Sequence, residues 1–154
     1  MTKRNILAHM GFVALLLSAG CAKKDTGGAT AVLEKNFQES LRGVTLVGNS
    51  TRFNKPGMSG EERYAIEKVS KMTGDLWLFQ ARVRYGSHDL PVPIPISVKW
   101  AGDTPVITLT DVSIPGMGTY TARVLIYRDQ YAGTWSGKTA GGQMFGRVVR
   151  EPKN

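Results

Sequence analysis

Beyond about residue 44 the chain alternates between apolar and polar residues with a period of two. Trp77, Phe79, Ala81, Val83 and Tyr85 share one phase, and Gln80, Arg82 and Arg84 the other. Ile94, Ile96, Val98 and Trp100 repeat the pattern against Pro95, Ser97 and Lys99; Tyr120, Ala122, Val124 and Ile126 do so against Thr121 and Arg123. Successive side chains of an extended chain point to opposite faces, so each run predicts a half-buried strand. Thr73-Gly74-Asp75 and Ala101-Gly102-Asp103 are short turn sequences between such runs, as hairpins require. Further breaks fall at Tyr85 to Asp89, Pro115 to Gly118 and Gly137 to Gly142. Pro91, Pro93 and Pro95 alternate with Val92, Ile94 and Ile96. Proline cannot donate to a ladder, so this stretch is predicted to be an edge or to pair through one side only.

Helical spacing occurs ahead of the strands. Val32, Leu33, Phe37 and Leu41 fit one apolar stripe, with Thr30 as an N-cap and Gly43 as a terminator. They predict a short helix, residues 31–42, able to plug one end of the β-domain at 43–150. The segment Ser59 to Met72 reads two ways. Ser59 and Glu62 form a capping-box pair, and Ile66, Val69 and Met72 fit a helical stripe. Tyr64 and Ile66 also alternate, and a short turn leads straight into the strand at 76, so the residues alone leave helix and strand open.

The first twenty residues differ from everything after them. Lys3 and Arg4 precede an apolar stretch, Ile6 to Leu17, interrupted only by His9. A stretch of this length is too short to span a bilayer, which needs about 20 residues, and it matches the plan of a secretory signal peptide. Leu17-Ser18-Ala19-Gly20-Cys21 resembles the lipobox of bacterial lipoproteins. That resemblance implies cleavage after residue 20, acylation of Cys21, and export to a membrane-anchored position. Several acyl chains give stable anchoring, at about 0.8 kcal/mol per buried CH2. Ala22 follows the cysteine rather than an aspartate, which favours the periplasmic side of the outer membrane over the inner membrane. Residues 21–30 are small, polar and charged, and predict a flexible lipidated tether.

A second resemblance covers more than half of the chain. The stretches GEERYAIEKVSKMTGDLWLFQARVRYG, VKWAGDTPVITLTDVSIPGMGTY and YAGTWSGKTAGGQMFGRV look like a group of small secreted proteins and lipoproteins of planctomycete-type bacteria. No activity is assigned to that group, so the resemblance implies only an all-β fold, and it tips 62–71 toward strand. About eight strands result, near 44–53, 62–71, 76–85, 92–100, 105–111, 119–128, 130–136 and 143–149. Short consecutive connections favour an antiparallel up-and-down order, and closure removes exposed edges. An eight-stranded barrel is therefore expected, with a two-sheet sandwich as the alternative. Gly133-Thr-Trp135-Ser-Gly137 resembles the Gly-x-Trp features of lipocalin- and avidin-like barrels.

Composition narrows the chemistry. With one cysteine there is no internal disulfide, and the formal charge of +8 falls by two if Lys3 and Arg4 are removed. The mature chain keeps one histidine, His88. Ser87, His88 and Asp89 are adjacent on one loop and cannot readily align as a nucleophilic triad. Zinc needs several Cys and His ligands and calcium a cluster of oxygens; neither pattern occurs, so no metal or cofactor is expected. The carboxylates are scattered, and the glycine clusters lack phosphate-loop spacing. No catalytic constellation emerges, and export argues against nucleic acid as a partner.

Two functions remain. One is a structural or interaction module of the cell envelope, in which Arg82, Arg84 and Arg123, on outward registers, meet an anionic partner. The other is a binding module. An eight-stranded barrel is just wide enough to be filled by side chains or to hold one small ligand. Trp77, Phe79, Tyr85, Trp100, Tyr120 and Trp135 are then candidate inward aromatics for a lipid-like or aromatic molecule, or else they fill the core.

Overall fold

A computed structural model describes residues 26–150 apart from Gly86. The side chains of Thr26, Tyr85 and His88 fall outside that description, as do the leader, Cys21 and the first part of the expected tether. One helix, α1 (Thr26–Ser40), precedes nine strands: β1 (Val44–Arg52), β2 (Lys55–Met58), β3 (Glu62–Thr73), β4 (Leu76–Tyr85), β5 (His88–Ala101), β6 (Thr104–Ile114), β7 (Gly118–Tyr127), β8 (Gln130–Gly137) and β9 (Gly141–Arg150). Apart from β2, successive strands pair antiparallel, and β1 pairs with β9 to close an eight-stranded up-and-down barrel. The extra strand β2 folds back on the end of β1.

Two expectations shift. Residues 26–30 are helical rather than part of a tether, so α1 starts one turn earlier than Thr30 suggested. The contested segment is strand from Glu62 onward. Ser59 caps nothing there: its hydroxyl accepts from the Ser50 amide at 2.7 Å and donates to the Gly60 carbonyl at 2.8 Å. A local capping signal has lost to cross-strand pairing along both edges of β3.

The inward phase of each strand matches the alternation. Trp77, Phe79, Val83, Val92, Ile94, Ile96, Val98, Ile107, Leu109, Val124 and Ile126 are all buried. The predicted turns close at Gly74 (φ 51°) and Gly102 (φ 65°), where a left-handed backbone favours glycine. β6 carries a bulge between Leu109 and Val112, with Asp111 at φ 51°. Thr121 holds this kink, its hydroxyl accepting from the Asp111 amide at 3.0 Å and donating to its carboxylate at 3.1 Å.

The barrel is closed by a tight seam. A Cβ placed on Gly48 would lie 2.0 Å from the Phe145 carbonyl oxygen, and one on Gly146 would lie 2.2 Å from that of Val47. Only glycine lets β1 and β9 approach this closely, and the cleared space is taken by Tyr131, whose hydroxyl is 2.6 Å from where a Cβ on Gly48 would stand.

The proline strand pairs unevenly. β5 pairs with β4 from His88 to Ser97, but with β6 only from Ser97 to Ala101. In an antiparallel ladder each residue turns its N–H toward one neighbour only. Val92, Ile94 and Ile96 can serve β4, while Pro91, Pro93 and Pro95 leave the β6 side without donors. Pairing between β5 and β6 stops where the prolines begin, so this stretch is paired through one side, as predicted.

Candidate functional site

The two ends of the barrel are filled differently. At one end α1 and the turn after it lay Phe37 and Leu41 over the opening. The Phe37 ring meets Trp77 edge-on at 5.1 Å, Trp100 at 5.8 Å and Phe79 at 6.2 Å. Lys71 lies 4.8 Å over the Trp77 ring and pairs with Glu34 of α1, fastening the helix to β3. Beside the β1–β9 seam, Tyr131 is 2% exposed, and its phenol is pushed up to about 12 by burial and, secondarily, by the charge of Glu62.

Toward the other end the side chains stop meeting. A cavity of about 500 Å³ runs from Phe79 to the turns after β6 and β8. Small residues leave the room: Ala81 and Ala122 border the cavity, whereas nearer the helix β4 carries Trp77 and Phe79 on the same phase. Most of the wall is aliphatic, including Ile94, Ile96, Leu109 and Val124. Arg52 and Lys138 border the rim, with the Arg52 guanidinium 6.0 Å from the Trp135 ring centre.

One polar group interrupts the apolar wall. Glu62 is buried, and its two oxygens accept from the Ser50 hydroxyl and the Tyr64 hydroxyl, each at 2.7 Å. All three residues border the cavity. Sequence reasoning missed this cluster because a capping-box reading of Ser59 and Glu62 competed with the strand register of 62–71. Its phase held the signal, since Glu62 shares the inward register of Tyr64 and Ile66.

Five of the six candidate aromatics divide between the ends; the side chain of Tyr85 lies outside the described residues. Phe79, Tyr120 and Trp135 border the cavity. Trp77 and Trp100 do not; they pack against Phe37, because the helix supplies a ring for them to close on. The Tyr120 hydroxyl donates to the Met117 carbonyl at 2.8 Å, fixing its ring beside the turn after β6. Trp135 Nε1 is buried and, among the described residues, has no hydrogen-bond acceptor.

The three arginines do not form one patch. Arg82 and Arg84, on β4, share Asp89 at 2.7 Å and 3.1 Å, and these bonds hold the Asp89 carboxyl below its usual range. Arg123, on β7, is separated from them by β5 and β6. Its guanidinium donates to the Leu109 carbonyl, to that of Ala122 at 2.7 Å and to Thr110 Oγ1 at 2.9 Å. It pins the bulge in β6 rather than facing solvent freely.

No cluster of metal-ligating side chains occurs among the described residues, and no helix among them is long and apolar enough to cross a membrane. Comparison with protein-family models, with curated proteins and with solved structures finds no match.

Proposed function

We propose that the protein is a non-catalytic binding module that holds one small, largely apolar molecule inside its barrel. The observation that carries this reading is the cavity of about 500 Å³ with an aliphatic wall. Ligand pockets typically measure about 300–1,000 Å³ and combine apolar walls with a few placed polar groups. A barrel meant only as a scaffold gains by filling its interior, because packing supplies much of a small domain's stability. An envelope role resting on a combined Arg82, Arg84 and Arg123 surface has less support, since those side chains are spent on Asp89 and on the β6 bulge.

Titration with an uncharged naphthyl fluorophore tests the proposal. Saturable enhancement with one site per chain is expected, and Ala122→Trp, which places an indole in the cavity, is expected to abolish it. A folded wild type that does not enhance the probe, or an unaltered response in the variant, sinks the reading.

We further propose that Cys21 tethers this module to a membrane, on the periplasmic side of the outer membrane. The lipobox-like run ending at Cys21 supports this. Cys21→Ser is expected to move the protein from the membrane fraction to the soluble fraction. Retention of the variant on membranes after a high-salt wash would count against lipid anchoring.

A further inference from the structure

We propose that the molecule taken up is an amphiphile whose polar end is a protonated amine, received by the Glu62 carboxylate. The inference rests on the barrel-interior reading and specifies its ligand. Glu62 is 9% exposed and lies on the inward phase of β3, where the alternation otherwise places apolar residues. A carboxylate in such surroundings is costly unless it is paired and hydrogen-bonded. The hydroxyls of Ser50 and Tyr64 take one site on each oxygen. An ionised carboxylate offers about four acceptor sites, so acceptor capacity is left over. Among the described residues no lysine or arginine is ion-paired with it.

The two hydroxyls also hold the carboxylate still. Both approach from the wall, Ser50 on β1 and Tyr64 on β3, so the group is oriented before any ligand arrives. An ammonium group offers three donors and one positive charge, which matches an acceptor-rich, negatively charged site. Tyr64, Tyr120 and Trp135 border the same space and add aromatic rings, whose faces attract cations.

The rim carries the opposite sign. Arg52 and Lys138 are exposed, whereas Glu62 is buried. Charges in water are screened, and long side chains can swing aside; a fixed charge in a low-dielectric wall acts more strongly. Glu62 therefore dominates selection inside the barrel.

The test compares dodecylamine, dodecanol and dodecanoate as displacers of the naphthyl probe at neutral pH, with wild type and Glu62→Gln. In wild type the amine is expected to bind about tenfold tighter than the alcohol and the acid. Glu62→Gln should remove most of that advantage, weakening the amine far more than the alcohol. The N-acetylated amine, tested on wild type alone, should bind like the alcohol, which keeps the test open if the variant does not fold. Equal or tighter binding of the acid, an amine advantage that survives in Glu62→Gln, or an acetylated amine as tight as the free one overturns the inference and leaves the cavity reading standing. Failure of the probe and of all three displacers to bind overturns both.

Discussion

The helix end and the turn end of this barrel are built by the same eight strands, yet one is packed solid and the other is hollow. At the helix end Trp77, Phe79 and Trp100 converge on Phe37, which seals them from below. At the turn end Ala81, Ala122 and Gly137 stand on the inward phase, and among the described residues no element covers them as α1 covers the other end. Strand pairing is also weaker there, because the prolines of β5 withhold donors from β6. Stability and capacity are thus divided along the barrel axis. The packed half can hold the fold, which frees the other half to remain empty.

This division makes mutations in the two halves behave differently. Trp77→Ala has the largest expected effect. The ring is 1% exposed and touches Phe37, so its removal leaves a cavity that its neighbours cannot fill, costing about 3–5 kcal/mol in denaturant unfolding. A loss below about 1 kcal/mol would mean that the helix end is not the packed half.

The next effect is alkaline and belongs to the seam between β1 and β9. The Tyr131 phenol is raised from 10.0 to about 12 in the fold. Its contribution is fully present below the unfolded value and is lost as pH rises from 10 through 12. The loss is on the order of 2 kcal/mol. Absorbance titration should show a late-ionising tyrosine that is absent in Tyr131→Phe. A wild-type titration indistinguishable from that of the variant would contradict burial of this hydroxyl.

The smallest effect is expected in the hollow half. Ala122→Trp should change stability by less than about 1 kcal/mol, because overpacking costs arise where a core is already full. A loss of several kcal/mol would show that the cavity does not accept an indole and that the contrast between the ends is overstated.

Much of this architecture is legible in the sequence, for a local reason. Alternation at 77–85, 94–100 and 120–126 reports which face meets the interior, and glycine at 74 and 102 reports where the chain turns. The β5 prolines announce pairing through one side because a missing N–H is a property of the residue itself. β2 escaped notice because Lys55 to Met58 is exposed throughout and carries no alternation. Glu62 escaped because a plausible helix cap, Ser59 to Glu62, competed with its strand register.

What the residues determine alone is the two-residue rhythm, the turns and a stripe on α1 that needs something to cover. What tertiary structure decides is contact between distant parts of the chain. Gly48 and Gly146 matter because β1 closes on β9 and Tyr131 fills the space they leave. Ser50, Glu62 and Tyr64 become one polar site because β1 and β3 lie side by side. Whether inward rings fill a barrel or leave a pocket depends on where they meet across it, and periodicity along a single strand holds no record of that distance.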